Sequence, residues 1–148
     1  ELGGTYVAAP SGTRRRLYGV DLAFRHQPGS SSFYQGAVLG SEWYWNDQDF
    51  LDGAGGSDRF HRDGGYAYLE GFFGRSFSGG ILFDHAEEIA DEAARQNTYA
   101  GFVTWKPSEF QRLRLQLGEI DQSGPNDLRV WLQWTAFIGS HSHGFANR

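Results

Sequence analysis

The sequence predicts an all-β protein, an antiparallel up-and-down β-barrel whose strands cross a membrane. Three observations lead to this fold class. Glycine supplies 21 of the 148 residues and aromatic residues 16%, with only 4 prolines, a composition typical of strands and tight turns. Seven segments alternate between apolar and other residues with a period of two, as strands with two unlike faces do. Between them, short turns alternate with long polar segments, which is the asymmetry of the two ends of a membrane barrel.

The first half of the chain predicts four strands. Residues 1–16 show no sustained period and are predicted to be an irregular stretch, in which Thr5 to Ala9 is an open candidate for a short strand end. The strands are predicted at 17–25, 33–45, 65–74 and 79–85, separated by turns at 26–32 and 75–78 and by a long polar segment at 46–65. Their apolar positions are Tyr18, Val20, Leu22 and Phe24, then Ala37, Leu39, Trp43 and Trp45, then Ala67, Leu69 and Phe73, then Ile81 and Phe83.

The second half predicts three more strands. Residues 84–96 are rich in Ala and Glu and hold few apolar residues to bury, so a solvated loop with a nascent helical turn is expected there. The strands follow at 97–105, 110–118 and 128–139, separated by a turn at 106–109 and a polar segment at 119–126, with a tail at 140–148. Their apolar positions are Tyr99, Val103 and Trp105, then Leu113, Leu115 and Leu117, then Leu128, Val130, Leu132, Trp134, Ala136 and Ile138.

The composition of the two strand faces favours a membrane over water. A soluble barrel turns its apolar face inward and usually places Lys and Glu on the wet face, whereas here the polar face carries mostly Gly, Gln, Thr, Tyr and Arg. In a membrane barrel the apolar face meets lipid, with aromatic girdles at both interfaces, and the polar face lines the lumen. The predicted girdle residues are Trp43, Trp45, Tyr99, Trp105 and Trp134. The predicted pore-lining residues are Asp21, Glu42, Glu70, Arg112, Arg114 and Arg129.

Several function classes are disfavoured. The formal net charge of −5 argues against a nucleic-acid binder. The absence of cysteine removes disulfides, thiol nucleophiles and cysteine metal sites. No apolar run is long enough for a membrane helix, so any crossing must use strands. The sequence contains no G-x-S-x-G elbow. Glu42 and Glu70 lie beside the arginines, so we interpret them as part of an ion-pair network and not as paired catalytic carboxylates. We therefore expect no enzyme activity.

Metal-ligating residues occur in three places. His141 and His143 are two residues apart, so in an extended chain they point to one side and can share a divalent metal such as zinc. The segments 46–65 and 84–96 each contain several acids and one histidine, His61 and His85 respectively. We interpret both segments as solvated acidic loops that weakly recruit cations to a pore mouth.

Four stretches resemble a group of bacterial outer-membrane barrels, the zinc-regulated TonB-dependent outer-membrane receptors, and more distantly other porin-like barrels. They are 17–22 (LYGVDL), 40–44 (GSEWY), 105–116 (WKPSEFQRLRLQ) and 132–145, which ends in a His-x-His-x-Phe pattern. Members are longer chains, so the resemblance implies the C-terminal part of a larger barrel. It also implies uptake of a metal or metal complex, and Phe145 resembles the terminal signal that the outer-membrane assembly machinery reads.

The expected function is passage or receptor-mediated uptake of small solutes across a bacterial outer membrane, with zinc as a candidate metal. The expected partners are membrane lipid, the outer-membrane assembly machinery and a small solute, and nucleic acid is not expected. Two alternatives stay open. One is a soluble β-barrel or sandwich that binds a small apolar ligand, and the other is a barrel scaffold that acts through its extracellular loops.

Overall fold

The computed structural model describes residues 1–9, 15–28, 35–51, 57–87, 94–122 and 124–138. Within these residues eight strands form one antiparallel sheet, in which every strand pairs with its neighbours in sequence. The strands are β1 (Leu2–Ala9), β2 (Arg15–His26), β3 (Gln35–Leu51), β4 (Ser57–Phe73), β5 (Phe77–Glu87), β6 (Arg95–Ser108), β7 (Gln111–Gln122) and β8 (Asp127–Ala136). The all-β, up-and-down fold class is therefore confirmed. In the described residues β1 and β8 each pair on one side only, so the sheet is not closed into a barrel.

The strands extend beyond the predicted ones, chiefly into the polar segments. The prediction of an irregular stretch at 1–16 is wrong for β1, which pairs with β2 along its whole length, including a Tyr6–Tyr18 ring contact at 5.3 Å between centroids. Most of the predicted loop at 46–65 is strand, since β3 and β4 pair from Gln35–Phe73 to Leu51–Ser57. The reason is that strand pairing continues where the apolar alternation stops, and charged cross-strand pairs replace apolar ones.

The predicted loop at 84–96 is also partly strand. The described part of it continues β5 to Glu87 and opens β6 at Arg95, and residues 88–93 lie outside the described residues. At the opposite end of the sheet, β4 and β5 are joined at 74–76, where Gly74 has a φ of 76° in the region that favours glycine. A two-residue turn at 109–110 joins β6 and β7. We call this end of the sheet the turn end and the opposite one the far end.

The strand register gathers the predicted apolar positions on one face of the sheet. One cross-strand row, for example, runs through Phe24, Leu39, Leu69, Ile81, Gly101, Leu117 and Val130. This apolar face is the exposed one, with Leu132 at 70% and Trp134 at 67%, whereas on the polar face Phe102 is 4% and Thr104 2% exposed. In a sheet of one layer, a face can be covered only where the sheet curves around it. The polar face is therefore concave and the apolar face convex.

The apolar band on the convex face ends in polar residues toward the far end, and this border is oblique to the strand pairing. The first residues met there with a charged, amide or imidazole side chain are, from β2 to β7, Arg16, Asp47, Asp63, His85, Asn97 and Glu119. Arg16 pairs with Asp47, so the border starts along one cross-strand row. The row of Glu119, followed back through Tyr99, Phe83 and Ala67, reaches Ser41 on β3. The border row at β2 thus meets β3 at residue 47, and the border row at β7 meets β3 at residue 41. Between β2 and β7, which are five strand steps apart, the border shifts by about six residues along the strands.

Candidate functional site

The concave face carries all six residues that were predicted to line a pore. Asp21, Glu42 and Glu70 lie on β2, β3 and β4, and the three arginines lie on β7 and β8. The six charges are thus divided into an acidic part and a basic part of the sheet. Arg129 is partly neutralised, because its Nε atom lies 2.8 Å from Oδ2 of Asp127 on the same strand. The basic part therefore depends mainly on Arg112 and Arg114.

Arg114 lies flat over an aromatic ring in the basic part. Its guanidinium carbon is 3.5 Å from the ring centroid of Phe102, a short cation–π contact. The Nε atoms of Arg112 and Arg114 are buried and have no hydrogen-bond partner in the described residues. The two side chains lie on the same face two residues apart and repel each other, while Glu70 attracts Arg114. The hydrogen-bonding capacity of these two buried Nε atoms is therefore unmet within the described residues.

Glu70 is held at the middle of the concave face. Ser78 is 2% exposed, and its hydroxyl donates a hydrogen bond of 2.5 Å to Glu70 Oε1. Gly80 lies between Glu70 and Phe102 in one cross-strand row, so no side chain separates the acid from the ring that carries Arg114. This stretch of the wall places an anchored carboxylate and an unpaired guanidinium near each other.

Two acids meet in the acidic part. Asp21 and Glu42 are direct cross-strand partners, an arrangement of like charges that destabilises a sheet. Tyr44 donates a hydrogen bond of 3.0 Å to Glu42 Oε2, and Tyr66 interacts with the same carboxylate. Asp21 lies against Gly3 on β1. The phenols stabilise the Glu42 carboxylate, so that both negative charges face the concavity.

Aromatic rings cover glycines along the concave face, a feature that the sequence analysis missed. A Cβ atom added to Gly19, Gly40 or Gly80 would lie 2.7, 2.4 or 2.7 Å from a ring atom of Tyr44, Tyr68 or Phe102, respectively. In each pair the ring belongs to the next strand and lies directly across from the glycine. These rings occupy the space that a side chain at each glycine would otherwise fill. The pairs were not visible in the sequence because they depend on the strand register.

The five predicted girdle residues all lie on the convex face, in two groups. Trp43, Trp45 and Tyr99 are near the polar border, and Trp105 and Trp134 are near the turn end. Four of them are exposed, while Trp43 is half-buried and donates a hydrogen bond of 2.8 Å from Nε1 to Asp63 Oδ2. None of the described residues forms a helix long and apolar enough to cross a membrane.

The predicted metal ligands His141 and His143 lie outside the described residues. Within the described ranges, one group of three residues brings its ligand atoms together, namely Asp63, His85 and Glu87 on the convex side of β4 and β5. No family model, curated protein or solved structure matches this chain. The resemblance to outer-membrane receptors therefore stays a prediction.

Proposed function

We propose that this sheet is the wall of an outer-membrane β-barrel and that its concave face lines a path for small solutes. The observation that carries the proposal is the exposed apolar band on the convex face, bounded by aromatic and polar residues. Contiguous apolar surface of this extent is rare on monomeric soluble proteins and marks a binding or membrane surface. A soluble barrel that binds an apolar ligand needs the opposite arrangement, with the apolar face inside the concavity.

The obliqueness of the apolar border supports a flat bilayer as the environment. A bilayer imposes a planar border, so tilted strands must cross it at positions that shift steadily against their register. A shift of about six residues over five steps, at about 3.4 Å per residue and 4.8 Å between strands, corresponds to a strand tilt of about 40°. Membrane barrels have tilts of about 35–45°. The convex side of a soluble sheet has no comparable requirement.

The concave face supports selection of solutes by charge. When the sheet curves, the acids on β2 to β4 and the arginines on β7 turn toward each other across the concavity. A solute that passes between them meets carboxylates on one side and guanidinium groups on the other. Side chains that line a pore set its selectivity through their charge and the width they leave. We assign this role to Asp21, Glu42, Glu70, Arg112 and Arg114, with a smaller contribution from Arg129.

The proposal requires that the β1 and β8 edges be paired in the membrane. Lipid offers no hydrogen-bond partner to an open strand edge, so the two edges must meet each other or further strands. Eight strands close the smallest barrels, whose interior is filled by side chains, and a wider path needs more. A metal or metal complex as the solute is the form of the proposal that the sequence resemblance favours.

The membrane location can be tested with single-cysteine labels, because the chain has no cysteine of its own. A fluorophore would be attached at Leu115 or Leu132 on the convex face, with matched controls at Gln116 and Gln133 on the concave face. After refolding and transfer to vesicles, a quencher dissolved in the lipid should quench the labels at the leucines and spare the labels at the glutamines. Equal quenching at all four positions, or a soluble monomer that does not insert, would overturn the membrane wall.

Solute passage requires a second measurement, conductance across a planar bilayer. Ion current that changes with the charge of the Arg114 position would support the proposed path. Insertion without any current would keep the membrane wall and overturn passage, in favour of a scaffold that acts through the segments 46–65 and 84–96.

A further inference from the structure

Three potential metal ligands meet on the convex face at the polar border, outside the proposed solute path. Asp63 lies on β4, and His85 and Glu87 lie on the adjacent β5. One ligand atom from each residue lies within 4.8 Å of the other two, and all three residues are half-buried. The spacing follows from the pleat, because residues 85 and 87 point to the same side of β5 and the antiparallel register brings Asp63 beside them. A single cation can therefore contact all three.

Each of the three side chains is oriented by a neighbour. Asp63 Oδ2 accepts the hydrogen bond from Trp43 Nε1, and the Asp63 backbone N–H donates one of 3.1 Å to Glu87 Oε2. His85 Nδ1 is 2.6 Å from Asn97 Oδ1, an amide oxygen that only accepts, so the tautomer with the proton on Nδ1 satisfies this contact and leaves Nε2 for a metal. Among the described residues, no hydrogen bond occupies His85 Nε2 or the second oxygen of either carboxylate. Metal-binding histidines and carboxylates are commonly held by such outer hydrogen bonds.

Trp43 orients the group further through a stacking contact. Its indole lies parallel to the His85 ring, with 5.7 Å between the ring centroids and an angle of 5° between the planes. The contact spans β4, because Gly65 is the residue between Trp43 and His85 in the same cross-strand row. A Cβ atom at Gly65 would lie 2.6 Å from Trp43 Cε3, so only glycine leaves room for the indole in this position.

No positive side chain in the residues that the structure describes compensates the charge of this group. In the described part of the chain, no Lys or Arg nitrogen lies within 4.0 Å of the Asp63 or Glu87 carboxylate, although Arg95 is the cross-strand partner of Glu87. The neighbouring acidic group on β3 differs, because Arg59 lies 3.6 Å from Asp47 there. Two half-buried carboxylates held close together repel each other unless a proton or a cation lies between them.

We propose that Asp63, His85 and Glu87 form a binding site for one divalent transition-metal ion. One imidazole nitrogen with two carboxylate oxygens is a donor set that suits Zn²⁺ and related ions, whereas Ca²⁺ and Mg²⁺ prefer oxygen ligands alone. Three protein ligands leave a fourth position for water or an external ligand. The site joins β4 to β5 at the polar border and needs neither His141 nor His143.

The test is calorimetric titration of the refolded full-length chain with Zn²⁺, combined with the absorption spectrum of bound Co²⁺. We expect one equivalent to bind, and we expect His85→Ala to weaken Zn²⁺ binding by more than about 100-fold, because it removes a ligand and not only an outer contact. Trp43→Phe keeps an aromatic ring but loses the hydrogen bond to Asp63, so a loss of about 10-fold is expected. The matched control is His61→Ala. It removes an imidazole that lies near the same border but contacts Asp47 instead of the proposed metal ligands.

Two results with the variants would overturn the site. One is binding by the His85→Ala protein with the affinity of the unchanged protein, and the other is an equal loss in the His61→Ala protein. Glu87→Gln, which keeps the side-chain shape, serves as a second variant if circular dichroism shows that His85→Ala does not fold. Failure of a folded, unchanged chain to bind Zn²⁺ or Co²⁺ would also exclude the site.

Discussion

Replacing Leu115 with arginine distinguishes a lipid-facing sheet from a water-facing one. Leu115 is 53% exposed on the convex face, and it lies four positions along β7 from each of the polar residues Gln111 and Glu119. Four residues at about 3.4 Å each, projected through a tilt of about 40°, place it about 10 Å from the polar border. That depth is close to the middle of an apolar band about 25 Å tall.

We expect Leu115→Arg to lower the free energy of unfolding by about 2–4 kcal/mol, the cost of arginine near the midplane of a membrane barrel. Glu119→Arg at the border should cost only about 0–1 kcal/mol. The opposite-face control, Gln116→Arg, places the same charge in the concavity and should cost less than Leu115→Arg. The assay is equilibrium urea unfolding of the chain in vesicles, followed by tryptophan fluorescence.

A water-facing convex surface gives a different pattern. Surface substitutions away from special contacts usually change stability by less than about 0.5 kcal/mol. If Leu115→Arg and Glu119→Arg have equal, small effects, the lipid-facing assignment of the apolar band is refuted. Loss of stability for Gln116→Arg alone would point to the concave face as the packed one and to the convex face as solvated.

Three further predictions concern the concave face. Arg114→Gln should shift the reversal potential of reconstituted channels toward cation selectivity, because it removes the unpaired guanidinium over Phe102; an unchanged potential would remove Arg114 from the path. Ser78→Ala should lower the free energy of unfolding in urea by about 1–3 kcal/mol, because it removes a buried hydrogen bond to the Glu70 carboxylate. The control is Ser76→Ala in the adjacent turn. Gly80→Ala should cost about 1–3 kcal/mol or more, because its Cβ would lie 2.1 Å from a backbone oxygen of Leu69 and 2.7 Å from the Phe102 ring; a neutral effect would contradict the close packing of this row.

The alternation of residue types was sufficient to assign side chains to faces. Each apolar position predicted on a described strand lies on the convex face, including the weakly patterned β5 with Ile81 and Phe83. This succeeds because the pleat has a period of two and a shift of one residue would exchange the faces completely. The assignment needs only local sequence, so it did not depend on knowing which strands pair.

The strand ends could not be predicted in the same way. Beyond the apolar border the convex face is polar as well, as at Asp47, Asp49 and His61, and a strand without apolar alternation looks like a loop when only hydrophobicity is followed. Pairing continues there because ion pairs and backbone hydrogen bonds hold the strands together. The N-terminal strand was predicted only in part, as the open candidate from Thr5 to Ala9, since Gly3 and Gly4 interrupt the alternation at its start.

The contacts that give this sheet its chemistry depend on register, which links positions far apart in the sequence. Asp63 and His85 were assigned to two separate acidic segments, and nothing in either segment indicates that Trp43 lies across Gly65 to reach the imidazole. The strand tilt also depends on register. The sequence shows at which residue of each strand the polar border lies, but only the register shows how these residues are aligned across the sheet. The aromatic–glycine pairs, the metal-ligand group and the oblique border are thus three consequences of one pairing scheme. A substitution that shifts β4 against β5 by two residues would keep every side chain on its predicted face, yet it would separate Asp63 from His85 and change the measured Zn²⁺ affinity.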